Sequence, residues 1–131
     1  MKTRPIQVLF VLLPGSLILD WAGPAEALRI ANLACQAQGR PAPFALQFVG
    51  PDADAASSVG ALLTGVLPLP DKLLADPAQP RWVVLVGMPG DAIDTHQAPT
   101  RALLHWLRGL RLVDEHLELV TVCAGSVLAA H

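Results

Sequence analysis

Ile6-Gln7-Val8-Leu9-Phe10-Val11-Leu12-Leu13 is an apolar run closed by Pro14-Gly15. Its length and β-branched content suit a strand buried on both faces of a parallel sheet, because a half-wet strand would alternate apolar with polar residues. A second such run, Trp82-Val83-Val84-Leu85-Val86, follows Arg81 and ends at Gly87-Met88-Pro89-Gly90. Leu117 to Val122 is a third, and Phe44 to Val49, ended by Gly50-Pro51, is a further strand.

Helical stretches lie between these runs. Proline belongs in a first helical turn, so Gly23-Pro24 predicts a helix start, with Ala25, Ala27, Leu28, Ala31 and Leu33 continuing until Gly39. Gln97 to Leu112 predicts a second helix, with Leu103, Leu104, Leu107 and Leu110 on one side and Arg101, Arg108 and Arg111 elsewhere. Asp52 to Ser58 reads as a surface loop, and Gly60 to Leu69, broken by Gly65 and Pro68, as a hairpin or edge ribbon. Strand–helix alternation of this kind predicts an α/β fold: a three-layer sandwich with a mainly parallel, flavodoxin-like sheet. The strands near 6–13, 44–49, 82–86 and 117–122 should share that sheet. The last helix has barely begun at His131, so the layout predicts one domain over 1–131 that is incomplete at its C-terminus.

Composition narrows the class. The chain has 131 residues, 53% of them hydrophobic and 15% charged, which excludes a disordered polar segment and leaves room for one domain. Nine basic residues stand against eleven acidic ones, for a net charge of −2, without the basic excess of a nucleic-acid module. Ten glycines and twelve prolines suit many sharp strand–helix turns. The first apolar run is far too short to span a bilayer, and Lys2 and Arg4 before it are not followed by a signal-peptide cleavage site. Two cysteines cannot make a disulfide scaffold and have no metal-ligand spacing. A reduced, cytoplasmic protein with no cofactor, no metal and no membrane contact is the expectation.

Chemistry concentrates at three places. Val122-Cys123-Ala124-Gly125-Ser126, between a buried strand and a helix start, has the pattern of a nucleophile elbow, in which a tight turn lifts the nucleophile at the sheet's carboxyl edge. A helix starting behind Cys123 would set amide N–H groups beside the sulfur, an environment that activates thiols in general. Equally, Cys123 reads as a small buried residue. Asp20, after Leu17-Ile18-Leu19, is either a helix N-cap or a carboxylate able to move protons for a nearby thiol. Glu26 reads as a first-turn helix acid. Gly87-Met88, after a central strand, lies where α/β ligand sites form; amides there and at Ala124 could make an oxyanion pocket, or Gly87 is an ordinary turn glycine. His96, His105 and His116 lack metal spacing, Cys35 reads as helix packing, and Ser126 should point into the helix start.

Taken together, these pieces resemble a known group. Val8-Leu9-Phe10 with Leu13-Pro14-Gly15, Leu19-Asp20 and Gly23-Pro24-Ala25-Glu26 resembles the opening of ThiJ/PfpI-type domains, which are class I glutamine amidotransferase-like. Val83 to Gly87 resembles their central strand, and Val120 to Ser126 their cysteine elbow. Ala124 stands where protease-like and chaperone-like members often carry histidine, and Met88 replaces a common second glycine. Two branches share the remaining pattern. With Arg29-Ile30-Ala31-Asn32 ending the first helix, the chain looks most like the N-terminal domain of AraC-type transcriptional regulators. That resemblance implies a small-molecule effector, a homodimer, and DNA binding through a region outside this chain. The other branch, isonitrile hydratase, implies an enzyme using Cys123 and Asp20; under either branch Gly87, Met88, Ala124 and Gly125 are the candidate ligand-binding residues.

Overall fold

The structure, a computed structural model, describes residues 4–70, 79–89, 94–110, 117–123, 125 and 129–130. In chain order the elements are β1 (Ile6–Val11), α1 (Ile18–Ala37), β2 (Phe44–Gly50), β3 (Ala55–Ala56), β4 (Leu62–Leu63), β5 (Leu67–Pro68), β6 (Arg81–Leu85), α2 (Ala98–Arg108) and β7 (Leu117–Thr121). Five strands form one sheet in the order β5-β2-β1-β6-β7, with every pairing parallel.

The apolar runs are continuous because both faces of β1 and β6 are covered. Side chains alternate across a strand. Leu9, Val11 and Leu13 of the first run therefore join Val83 and Leu85 on one face, where Leu103 and Leu104 of α2 cover them. Val8, Phe10 and Leu12 join Val84 and Val86 on the other, beneath Ala25, Trp21 and Leu28 of α1. The result is a helix–sheet–helix sandwich, as the strand runs predicted.

Two local expectations are corrected. α1 begins at Ile18, not near Gly23-Pro24, and Pro24 lies inside it. Leu17, the N-cap residue, supplies no side-chain cap; instead the Ile18 N–H donates to Ser58 Oγ at 3.2 Å. The capping group is thus 40 residues away, where no local pattern marks it. Nor is the 52–58 stretch wholly a surface loop: Ala55 and Ser57 are buried, and β3 pairs antiparallel with β4. The ribbon expected over 60–69 is present as β4 and as β5 at the sheet edge. The end of the second predicted helix beyond Leu110, including Arg111, lies outside the described residues, as does the start of the last helix at Val127-Leu128.

Topology places the site. The chain passes from β1 through α1 to β2 on one side, then returns across β1 to β6 on the other. Helices flanking such a reversal diverge and leave a crevice beyond the strands' carboxyl ends. Asp20, Gly87 and Cys123 all come from segments that follow those ends.

Candidate functional site

The turn after β1 is built first. Gly15 has φ +87°, a conformation costly for residues with a Cβ, and its N–H donates to the Ala56 carbonyl at 2.7 Å. Buried Ser16 folds back so that its Oγ donates to the Leu13 carbonyl and accepts the Leu13 N–H. This brace sets the direction in which α1 leaves the sheet.

α1 is then tied to the end of β6. The Leu17 N–H donates to the Gly87 carbonyl at 3.0 Å, and the Gly87 N–H donates to Asp20 Oδ2, also at 3.0 Å. Asp20, in the first turn of α1, is therefore not the N-cap. Its carboxylate clamps the glycine turn after the central strand. Both polar backbone groups of Gly87 are engaged, so the oxyanion donor expected from this amide is directed at Asp20 instead. One Asp20 oxygen holds the turn, which leaves Oδ1 as the acceptor that can face a ligand. Met88 is half-buried and packs on the core beneath α2; a Cβ added at Gly15 would lie 3.4 Å from its methyl carbon. Its side chain thus lies against the Gly15 turn.

The elbow is assembled on the neighbouring strand. The Val122 N–H donates to the Leu85 carbonyl at 2.9 Å, extending the β6–β7 pairing by one step. Cys123 then turns sharply, with φ +53°, the one positive value at a non-glycine residue among the described residues. Such a conformation is uncommon outside glycine, asparagine and aspartate and persists where surrounding structure enforces it. Gly125 supplies part of that enforcement. It is buried, its N–H donates to the Val122 carbonyl at 2.9 Å, and a Cβ there would press on the Leu85 carbonyl group, 2.7 Å from its carbon. A side chain at 125 would push the turn off the sheet. Cys123 itself is exposed at the sheet's carboxyl edge, whereas Cys35 is half-buried in α1. Neither is in a disulfide.

Gly87 and Cys123 thus follow adjoining strands, with Leu85 and Thr121 as the last paired residues before them, and Asp20 reaches this edge from α1 through its bond to the Gly87 N–H. A carboxylate can accept a hydrogen bond or move a proton, and a thiol on an exposed turn can act as a nucleophile. Ala124, Ser126 and His116 lie outside the described residues. Sequence reading missed Ser16 and Ser58, which brace the turn and cap α1; their only local signal is a position beside glycine-rich turns. Among the described residues no cluster of His, Cys, Asp or Glu is suited to a metal ion. No helix among them is long and apolar enough to cross a membrane.

No family model matches the chain, and no curated protein matches it in sequence. Solved structures do. A crystal structure of an AraC family transcriptional regulator from Pseudomonas putida matches 96% of this chain and 69% of its own, with a TM-score of 0.60 and 16% identity. A protein from Vibrio parahaemolyticus whose given name is that of a transcriptional regulator matches 97% of this chain and 61% of its own, with a TM-score of 0.67 and 16% identity. The chain therefore spans about two thirds of the length of these neighbours. At such identity the likeness is one of fold: over nearly its whole length this chain has the α/β fold found in an AraC family regulator.

Proposed function

We propose that the chain is a ligand-sensing domain, or the N-terminal part of one, of an AraC-type transcriptional regulator whose DNA-binding region lies outside these residues. The fold match over 96% of the chain to an AraC family regulator carries the reading. The motif resemblance to ThiJ/PfpI-type domains and a net charge of −2 are in accord with it. The effector is a small polar molecule taken at the carboxyl edge of β1, β6 and β7, with Asp20 Oδ1 and the Cys123 thiol as contacts and Met88 beneath. The working unit is a homodimer, since two-fold symmetry matches paired half-sites on DNA.

The test is a reporter assay on the complete protein. A small-molecule screen should find an effector that changes transcription, and Asp20→Ala should abolish the response while the protein still binds its operator. A coding sequence that continues past His131 without any helix-turn-helix region would remove the reading.

A second reading rests on one observation, the strained and exposed Cys123. In it the domain is a cysteine-dependent hydratase or lyase, with the Cys123 thiolate attacking a small electrophile and Asp20 moving the proton. Turnover of an isonitrile or α-oxoaldehyde that disappears in Cys123→Ser would establish it.

A further inference from the structure

We propose that the outer face of α2 is an anion-binding groove that takes a ligand bearing two or more phosphate groups in a row. Arg101, His105 and Arg108 recur at i, i+4 and i+7 of α2 and so form one stripe on the side away from buried Leu103, with buried Leu104 at its edge. His96 and Thr95, from the segment leading into the helix, complete an open groove of about 650 Å³. At a rise of about 1.5 Å per residue, the two arginines stand about 10 Å apart along the axis, with His105 between them. That is a row of donors, not a single point.

Among the described residues, no acidic side chain pairs with the arginines of the groove. Exposed helices usually intersperse acids with bases, so that neighbours at i, i+3 or i+4 pair. α1 does so: Arg29 forks onto Glu26 through Nε and a terminal nitrogen. Arg40 bonds Gln38, and Arg81 bonds Gln7. Among the described residues, Arg101 and Arg108 are the two arginines with neither an ion pair nor a hydrogen bond. No acid occurs from Thr95 to Leu110. Asp94 precedes the groove, and its Oδ1 accepts the His96 N–H at 2.9 Å. The helix dipole accounts for Arg108, which lies in the last turn. It does not account for Arg101 at the N-terminal end, where a cation is disfavoured. An anion lying along the stripe would pair with both arginines and accept hydrogen bonds from the two histidines. Guanidinium groups present paired donors that match phosphate oxygens, and an open polar groove suits a ligand that stays partly hydrated. This face lies on the opposite side of the sheet from α1 and apart from Asp20 and Cys123, so the inference does not depend on the regulatory reading.

The experiment is titration calorimetry of the full chain with sodium tripolyphosphate. Binding should be measurable at about 50 mM salt and fall steeply towards about 500 mM, as screening of exposed charges requires. The double variant Arg101→Gln/Arg108→Gln should weaken it about tenfold or more, with an unchanged circular dichroism spectrum, because each lost fork removes a charge-assisted contact. Arg40→Gln, an exposed arginine elsewhere, should leave it unchanged. A competition arm with duplex DNA identifies the source of the phosphate: displacement assigns the groove to a nucleic-acid backbone, and indifference assigns it to a small solute. Either result retains the site. Absence of tripolyphosphate binding at low salt, or binding that the double variant does not alter, overturns it.

Discussion

Cys123 has a left-handed backbone and an exposed side chain, whereas Cys35 is half-buried along a regular helix. Accessibility governs alkylation when two thiols share one solution. Iodoacetamide at pH 7 should therefore label Cys123 faster than Cys35, read site by site by mass spectrometry of the folded chain; equal rates would mean that the elbow is not formed in solution. Asp20 gives a second outcome. Asp20→Ala removes the acceptor for the Gly87 N–H and should lower the unfolding free energy by about 1–2 kcal/mol in urea. Asp20→Asn keeps an oxygen at that place and should cost less than half as much. The candidate residues were legible in the sequence because tight turns demand small residues at fixed offsets, as at Cys123-Ala124-Gly125. The tie between Asp20 and Gly87 was not, since it joins residues 67 apart and leaves no mark on either neighbourhood.

Between elements, the clearest joint is Asn32. Its amide nitrogen donates to the Phe44 carbonyl and its oxygen accepts the Phe44 N–H, both at 2.9 Å, so one side chain of α1 serves both backbone groups at the start of β2. Asn32→Ala strands both groups in a half-buried setting and should cost about 1–3 kcal/mol, measurable as a lowered urea midpoint. The exposed Glu26–Arg29 pair is a contrast. The Arg29 guanidinium holds the Glu26 carboxyl below its ordinary range, chiefly by hydrogen bonding. Any stability it lends is present above the ordinary carboxylate range and is lost as pH falls through the lowered value. Both groups are solvated, so Glu26→Gln should leave the neutral-pH midpoint unchanged. The strands were readable as elements because burial on two faces imposes an unbroken apolar run. The start of α1 was misread because Pro24 mimics a first-turn proline, while the true cap, Ser58, belongs to a distant loop.

Across the molecule, stability resides in β1 and the layers that enclose it. Leu9 is fully buried and Leu33 is 52% exposed, although both are leucines in regular elements. Leu9→Ala should cost about 2–5 kcal/mol, whereas Leu33→Ala should change the urea midpoint by less than about 0.5 kcal/mol equivalent. Net charge says nothing of local arrangement at this scale. A balance of −2 is compatible with Arg101 and Arg108 sharing one face of α2, which depends on helical spacing and not on totals. The central place of β1 has a further consequence for synthesis on the ribosome. This strand emerges before either of its partners, β2 and β6, and its last neighbour is complete only at Leu85. At translation speeds of about 5–20 residues per second, the most apolar segment of the chain waits on the order of ten seconds without its full set of hydrogen bonds. During that interval it is a template open to any extended chain nearby, which makes nascent β1 the natural point of capture by chaperones and the first seed of aggregation when they are scarce.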